Sequence, residues 1–324
     1  MEASGVGAAG IGGGPSGPRR SLEAPSRRIG EKVIQGLLAL CGLLSVLTTT
    51  AIVISLIGPT IGFFDLVDPI EFLTGTDWGP SFEPPTFGVL PIVVGTLSVT
   101  LWGMLFAIPI GLGAAIYLAE YASPRVRKTV KPILEILAGI PTVAIGFFAA
   151  TFIIPSIIQP LWPGDLLGGA EKPFMALAAG LGIGLMIVPI IASISEDSMS
   201  AVPQGLREGA YALGATRAKV AMRVVFPAAL SGIVASIVLA ISRAVGETMI
   251  VVLAAGSTPN LTFNPVESIQ AMTAYIATTA TGDISTGSPD YKAIFAVGTV
   301  LFVMTLAMNM TSIRLVRKYR EVYE

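Results

Sequence analysis

Six stretches of this chain are too long and too apolar to be buried in a water-soluble core. The first runs from Val33 to Ile57, 25 residues without a charge, closed by Gly58-Pro59. A helix needs only about 20 such residues to cross a bilayer. The others lie at about Val89 to Leu118, Pro132 to Ile154, Phe174 to Ile194, Val224 to Ala255 and Tyr291 to Ile313. In lipid every backbone N–H and C=O must be satisfied within the protein, which leaves only helices and closed barrels, and runs of this length make helices. The expected fold is an all-α integral membrane protein with six transmembrane helices. Composition agrees, because 13% of the residues are charged against roughly a quarter in soluble domains. A cleaved secretory leader would have an apolar core of only about 7 to 15 residues and a small-x-small site soon after it. The first run is longer and lacks that site, so it is expected to stay as a helix.

Basic residues give the orientation. A Gly-, Ala- and Ser-rich start holds Arg19, Arg20, Arg27, Arg28 and Lys32, and residues 1–32 read as a disordered basic tail. The loop after the second span adds Arg125, Arg127, Lys128 and Lys131; that after the fourth adds Arg207, Arg217, Lys219 and Arg223; the C-terminus adds Arg314, Arg317, Lys318 and Arg320. Seventeen of the 20 Lys and Arg thus share one face, which the positive-inside rule makes cytoplasmic, with both termini. Residues 58–86 carry Asp65, Asp68, Glu71, Asp77 and Glu83 and no Lys or Arg. They are expected to form a structured extracytoplasmic loop.

Several chemistries are excluded at once. The net charge of −1 excludes a nucleic-acid binder. The chain has no His and a single cysteine, Cys41, so a histidine base, an intramolecular disulfide and a cysteine-built metal site are all absent. It also has no G-x-x-x-x-G-K-[ST] phosphate loop, hence no ATPase site of the usual kind.

The segment Pro203 to Pro227 is more specific. Ala, Leu, Arg and Glu from Leu206 to Leu213 favour a short helix, and Gly214 is a natural stop. A turn and a second segment then lead into the fifth span. Glu208, Ala210, Gly214 and Pro227 resemble, at matching spacing, the E-A-A, three residues, G, nine residues, I-x-L-P signature of bacterial ABC-importer permeases. Gly209 stands in place of the first Ala, Val224 in place of Ile and Phe226 in place of Leu. Two more runs bring the resemblance closer. Arg243 to Val251, RAVGETMIV, is similar to the R-A-x-G-E-T-M-A-V of PstC-type phosphate permeases, whereas their PstA-type partners read G-E-T-A-P-L. Leu137 to Phe148 resembles their L-A-G-I-P-S-V-x-x-G-F-F. The likeness covers about residues 85–315 and departs at Thr142 and Ile250.

That resemblance implies a type I ABC-importer permease fold, with a permease core at 87–316, a coupling loop at 195–223 and a cytoplasmic end at 317–324. The coupling segment would dock on an ATPase subunit through Arg207, Glu208, Gly209, Ala210, Gly214 and Pro227. The implied assembly is a heterodimer with a PstA-like permease, an ATPase dimer on the cytoplasmic side and an extracytoplasmic phosphate-binding protein. The chain itself would bind no cofactor, and ATP–Mg would be used by the partner ATPase. Rival readings are a permease for another oxyanion, molybdate or sulfate, and an ion-coupled secondary carrier.

Charges inside the spans are the candidate pathway residues. A charge at membrane depth faces a bundle interior or a polar route. Arg243 and Glu247, four apart, would share one helix face, either as a self-neutralising pair or as a substrate site. Arg offers a permanently charged planar fork for a phosphate oxyanion. An ionised Glu247 could accept the O–H of protonated phosphate, which fully ionised sulfate does not have. Glu135, near the start of the third span, is a lesser candidate and a natural partner for Lys131.

Overall fold

The structure, a computed structural model, describes residues 29–161, 172–285 and 287–318. Most of the proposed basic tail, residues 1–28, and the last residues, 319–324, lie outside the described part. By internal contacts the chain divides into Met1–Ile52 and Val53–Glu324. In the first unit the described residues form the start of helix α1, Ile29–Phe64. Its Leu38, Leu44 and Val46 are exposed, as suits a helix whose solvent is lipid.

The second unit contains the end of α1, which continues through Gly58-Pro59 to Phe64 instead of stopping at Ile57. Pro59 removes one N–H, but the helix beyond it is held: Thr60 Oγ1 lies 2.7 Å from the Leu56 carbonyl oxygen and 2.9 Å from Thr299 Oγ1, and Phe63 is fully buried. Tertiary packing of this kind is what lets membrane helices keep an internal proline. A folded segment follows, as the aromatics and prolines of 58–86 predict. Helix α2, Pro69–Thr74, is capped by Asp68, whose Oδ1 accepts from Ile70 N and Glu71 N at 2.7 and 3.1 Å. Two-residue strands β1, Trp78–Gly79, and β2, Thr86–Phe87, pair antiparallel. Phe63, Phe72, Trp78, Phe87 and, from far downstream, Tyr275 bury this segment edge to face.

Helix α3, Leu90–Tyr121, and helix α6, Ala176–Ser200, form the tightest pair of the unit. Their backbones meet at small residues. A Cβ at Gly180 would lie 2.6 Å from Trp102 Cβ, and one at Gly184 2.6 Å from Phe106 Cδ1, so the Gly180-x-x-x-Gly184 spacing is a packing seam. Between these two helices in sequence come α4, Pro124–Ala138, and α5, Thr142–Leu161. The expected third span, Pro132 to Ile154, is therefore two elements. Gly139-Ile140-Pro141 separates an amphipathic helix carrying Arg125, Arg127, Lys128 and Lys131 from an apolar helix that starts at Thr142. Proline at 141 disfavours helical backbone in the residue before it, and Gly139 ends the first helix.

The rest of the chain is α7, Gln204–Ala212; α8, Arg217–Ala228, and α9, Leu230–Val245, which meet at 72°; α10, Met249–Ala254; α11, Met272–Ala280; and α12, Pro289–Lys318. Among the described residues five helices are long and apolar enough to cross a membrane, and six if the α8–α9 pair counts as one span. Helix α9 lies against α6. A Cβ at Gly232 would sit 2.1 Å from Ser198 Oγ, and the buried hydroxyls of Ser195 and Ser236 are 2.8 Å apart.

Candidate functional site

The fifth span does not run unbroken from Val224 to Ala255. Helix α9 stops at Val245, Gly246 to Thr248 are not helical, and α10 begins at Met249. Arg243 and Glu247 therefore do not share one helix face. Arg243 lies in the last turn of α9 with an exposed side chain, one turn after exposed Leu239 and shortly before exposed Gly246. Glu247, only 8% exposed, lies in the break. Among the described residues no ion pair joins them.

In the break Gly246 N and Glu247 N donate back to the Ser242 and Ala244 carbonyl oxygens, and side chains serve other groups at the break. Glu247 Oε1 accepts the N–H groups of Met249 and Ile250 at 3.1 and 3.4 Å, the orphan donors at the start of α10. Thr273 Oγ1, on α11, donates to the Glu247 carbonyl oxygen at 2.7 Å. Glu247 is thus a cap through one oxygen, and among the described residues Oε2 makes no hydrogen bond. The sequence reading placed both charges in this span but missed the break and its capping.

At the basic end, the turn after α6 leads into α7. The chain reverses through Gly214, whose φ of +78° is the left-handed region that glycine enters without steric penalty. Gly214 N donates to Tyr211 O and Ala215 N to Ala210 O, and Thr216 Oγ1 caps α8. Helix, glycine stop and second helix follow the predicted order, although the stretch from 195 to 200, expected in the coupling loop, belongs to α6 and the stretch from 217 onward to α8.

The six coupling candidates divide by direction. Glu208, Gly209 and Gly214 are exposed, Ala210 is half-buried, and Pro227 lies in α8. Leu206, Tyr211 and, at 90% exposure, Leu213 add apolar surface to that side. Arg207 is a correction. It does not point outward to a partner but is buried, with Nε and Nη2 each 3.1 Å from Glu120 Oε1 in the last turn of α3. Its Nη2 also donates to Met199 O at 2.7 Å and its Nη1 to Val202 O.

A second ionic group lies alongside. Glu196, fully buried near the end of α6, takes Lys131 Nζ at 3.0 Å, pairs with Arg127 and accepts from Ser200 Oγ at 2.9 Å. Lys131 also reaches Asp197. The expected pairing of Lys131 with Glu135 is not formed: Glu135 is exposed on α4, and the buried Glu196, whose desolvated carboxylate needs a cation more, takes the lysine. Arg127, Arg207, Glu120 and Glu208 line one polar cavity of about 260 Å³. Sequence reasoning passed over Glu120 and Glu196 because both sit at the ends of apolar runs; an acidic residue at such an end, across from a basic loop, was the available signal. A group of His, Cys, Asp or Glu able to hold a metal ion does not occur among the described residues.

Comparison with known proteins fits this architecture. The profile of the family described as binding-protein-dependent transport system inner membrane component matches residues 107–318. The chain is 37% identical over 239 residues to the probable ABC transporter permease protein YqgH of Bacillus subtilis, covering 74% of this chain and 75% of that protein. It is 34% identical over 250 residues to the phosphate transport system permease protein PstC of Mesorhizobium japonicum, covering 72% and 74%. Among solved structures, a chain of a bacterial alginate ABC transporter in complex with its alginate-bound periplasmic protein aligns with a TM-score of 0.62 at 18% identity, over 90% of this chain and 98% of that one. A chain of the inward-facing MetNI methionine ABC transporter gives 0.53 at 20% identity, over 70% and 94%. At these identities the two structures speak to the fold, and they place it with type I ABC-importer permeases.

Proposed function

Because this chain belongs to the family of binding-protein-dependent transport system inner membrane components, we propose that it forms half of the translocation pathway of an ATP-driven phosphate importer in the bacterial plasma membrane. Its basic end, with both termini, is cytoplasmic, and the acidic segment 58–86 is extracytoplasmic. A PstA-like permease completes the pathway as a heterodimer. An ATPase dimer, which uses ATP–Mg, takes the surface of α7 and the turn after it at Glu208, Gly209, half-buried Ala210 and Leu213, and an extracytoplasmic phosphate-binding protein delivers the substrate. The chain binds no cofactor of its own. Lacking a phosphate loop, it leaves ATP hydrolysis to its partner.

The observation that carries the reading is Arg243. It is exposed on the flank of a broken helix, and among the described residues it has neither an ion-pair partner nor a hydrogen bond. A permanently charged side chain at membrane depth needs an anion, and the pathway between two permease subunits supplies one in transit. Guanidinium hydrogen bonds to a phosphate oxyanion hold it there, while Oε2 of Glu247 accepts the phosphate O–H. The name of the Mesorhizobium relative supports phosphate over other oxyanions. Glu135, exposed on an amphipathic helix, lies outside this pathway.

The test is phosphate uptake in membranes holding equal amounts of assembled complex, with sulfate and molybdate as competitors. Arg243→Gln should abolish uptake. The double change Arg243→Gln, Glu247→Gln keeps an amide oxygen to cap α10 and removes both charges, so assembly persists while uptake stays lost. Substantial uptake by the double variant would refute the role of Arg243, and equal competition by sulfate would refute selectivity through the phosphate O–H.

A further inference from the structure

Arg207 and Glu208 are neighbours on α7 and differ in burial. Successive helical residues lie about 100° apart around the axis, so one residue of such a pair can enter the protein while the next stays on the surface. Here the side chain of Arg207 is 9% exposed and that of its partner Glu120 is 5% exposed, whereas Glu208 is exposed. One guanidinium reaches three separate elements. It grips the last turn of α3 through Glu120, the last turn of α6 through Met199 O, and the link after α6 through Val202 O.

We propose that Arg207 is a positioning residue, a latch that makes α7 move as one body with the ends of α3 and α6, so that a displacement of α7 reaches the break at Arg243. The inference rests on the importer reading above and deepens it by naming the link between the ATPase-facing helix and the substrate pathway. Its physical basis is the geometry of the fork. Two of its hydrogen bonds go to the Glu120 carboxylate and two to the carbonyl oxygens of Met199, in the last turn of α6, and Val202, just after it, so one planar group ties α7 to the ends of both α3 and α6. From α6 the path continues by direct packing, because Ser195 meets Ser236 on α9 and Gly232 of α9 has no room for a side chain against Ser198. Helix α9 ends two residues after Arg243. The docking surface and the latch are therefore different atoms of one short segment: exposed Glu208 on α7 and Leu213 just after it, and buried Arg207.

The experiment uses the whole complex, with its ATPase and binding protein, reconstituted in vesicles, and reads phosphate transported per ATP hydrolysed. Glu120→Gln should leave ATP hydrolysis running while that ratio falls at least fivefold. Arg207→Lys, which keeps the charge but reaches one acceptor at a time, should give an intermediate ratio. In a Cys41→Ala background, the pair Glu120→Cys, Arg207→Cys should behave like Glu120→Gln until a short bis-methanethiosulfonate reagent bridges the two thiols, and reduction should reverse the recovery in the same preparation. Three results would overturn the latch: an unchanged ratio in Glu120→Gln, a bridge that restores nothing, or failure of every variant, Arg207→Lys included, to assemble, since the pair would then be only a folding element. Failure of the importer reading is separately visible, because the unaltered complex would then show no ATP-coupled phosphate uptake.

Discussion

Replacing Glu247 by alanine or by glutamine separates capping from charge. The carboxylate serves two N–H groups, those of Met249 and Ile250 at 3.1 and 3.4 Å, and Ile250 is fully buried. A hydrogen bond to a charged group contributes about 1.5–3 kcal/mol, and a buried donor left without a partner costs about 1–3 kcal/mol. The longer contact is worth less, and removing a buried carboxylate recovers part of its desolvation penalty. The net expectation is a loss of about 2 kcal/mol for Glu247→Ala and under about 1 kcal/mol for Glu247→Gln, whose amide oxygen can accept the same N–H groups. At roughly 2–4 °C per kcal/mol for a large domain, the alanine variant should melt about 4–8 °C lower and the glutamine variant within about 3 °C of the parent. Heating the detergent-solubilised protein and following the folded peak by fluorescence-detected size exclusion gives both midpoints. If alanine and glutamine lowered the midpoint equally, Glu247 would be acting through its charge and not as a cap, and the account of the break would be wrong.

Other expectations are more quickly stated. Gly214→Ala meets no atom within 4 Å but must hold a φ of +78°, a strain of about 1–2 kcal/mol. Uptake should fall with insertion unchanged, and Gly214→Asn should fall less; an alanine variant with full uptake would show that the turn tolerates another shape. Glu208→Trp changes an exposed side chain, so it should uncouple ATP hydrolysis from uptake while leaving the melting midpoint within about 1 °C, as surface changes generally do. Gly95→Ala drives a Cβ to 2.2 Å from the Gln270 carbonyl oxygen, while Gly113→Ala meets nothing; only the first should lose the folded peak, and equal behaviour of the two would contradict the close approach of α3 to that segment. In a Cys41→Ala background, a cysteine at exposed Asp77 should react with an impermeant thiol reagent from outside the membrane, and one at exposed Leu213 only after permeabilisation. The reverse pattern would invert the topology.

What could be read from the sequence was what depends on length and on local chemistry. The bilayer sets a minimum run of apolar residues, so α1, α3, α6 and α12 were visible as spans, and the glycine stop after α7 followed from the backbone freedom of one residue. Features that depend on distant partners were not visible. The break at Gly246 to Thr248 carries a local signal in Gly246, which caps the end of α9, but what holds it open, Thr273 donating to the Glu247 carbonyl oxygen, lies 26 residues downstream. Arg207 reads as a surface charge until Glu120, 87 residues upstream, is placed beside it. The third span was misread for a different reason. From Pro132 to Ile154 the only charge is Glu135, and a hydropathy scan joins the apolar face of an interfacial helix to the span behind it.

The charges of the second unit follow a rule that bears on which of them marks a ligand. A helix end in lipid or in a dry core leaves N–H groups at its start and C=O groups at its finish that water cannot reach. Glu247 sits at the start of α10 and takes N–H groups; Arg207 sits against the finish of α6 and donates to C=O groups. Each is also of the sign that the helix end favours. Their presence in an apolar chain is therefore accounted for by the backbone before any substrate is invoked. Arg243 is different. It lies in the last turn of α9, where its sign suits the helix end, but among the described residues it donates to no carbonyl and meets no carboxylate, and it is exposed. A charge with no backbone duty is the one whose retention needs an outside ion, which is why the transport reading depends on Arg243 more than on the better-connected residues around it.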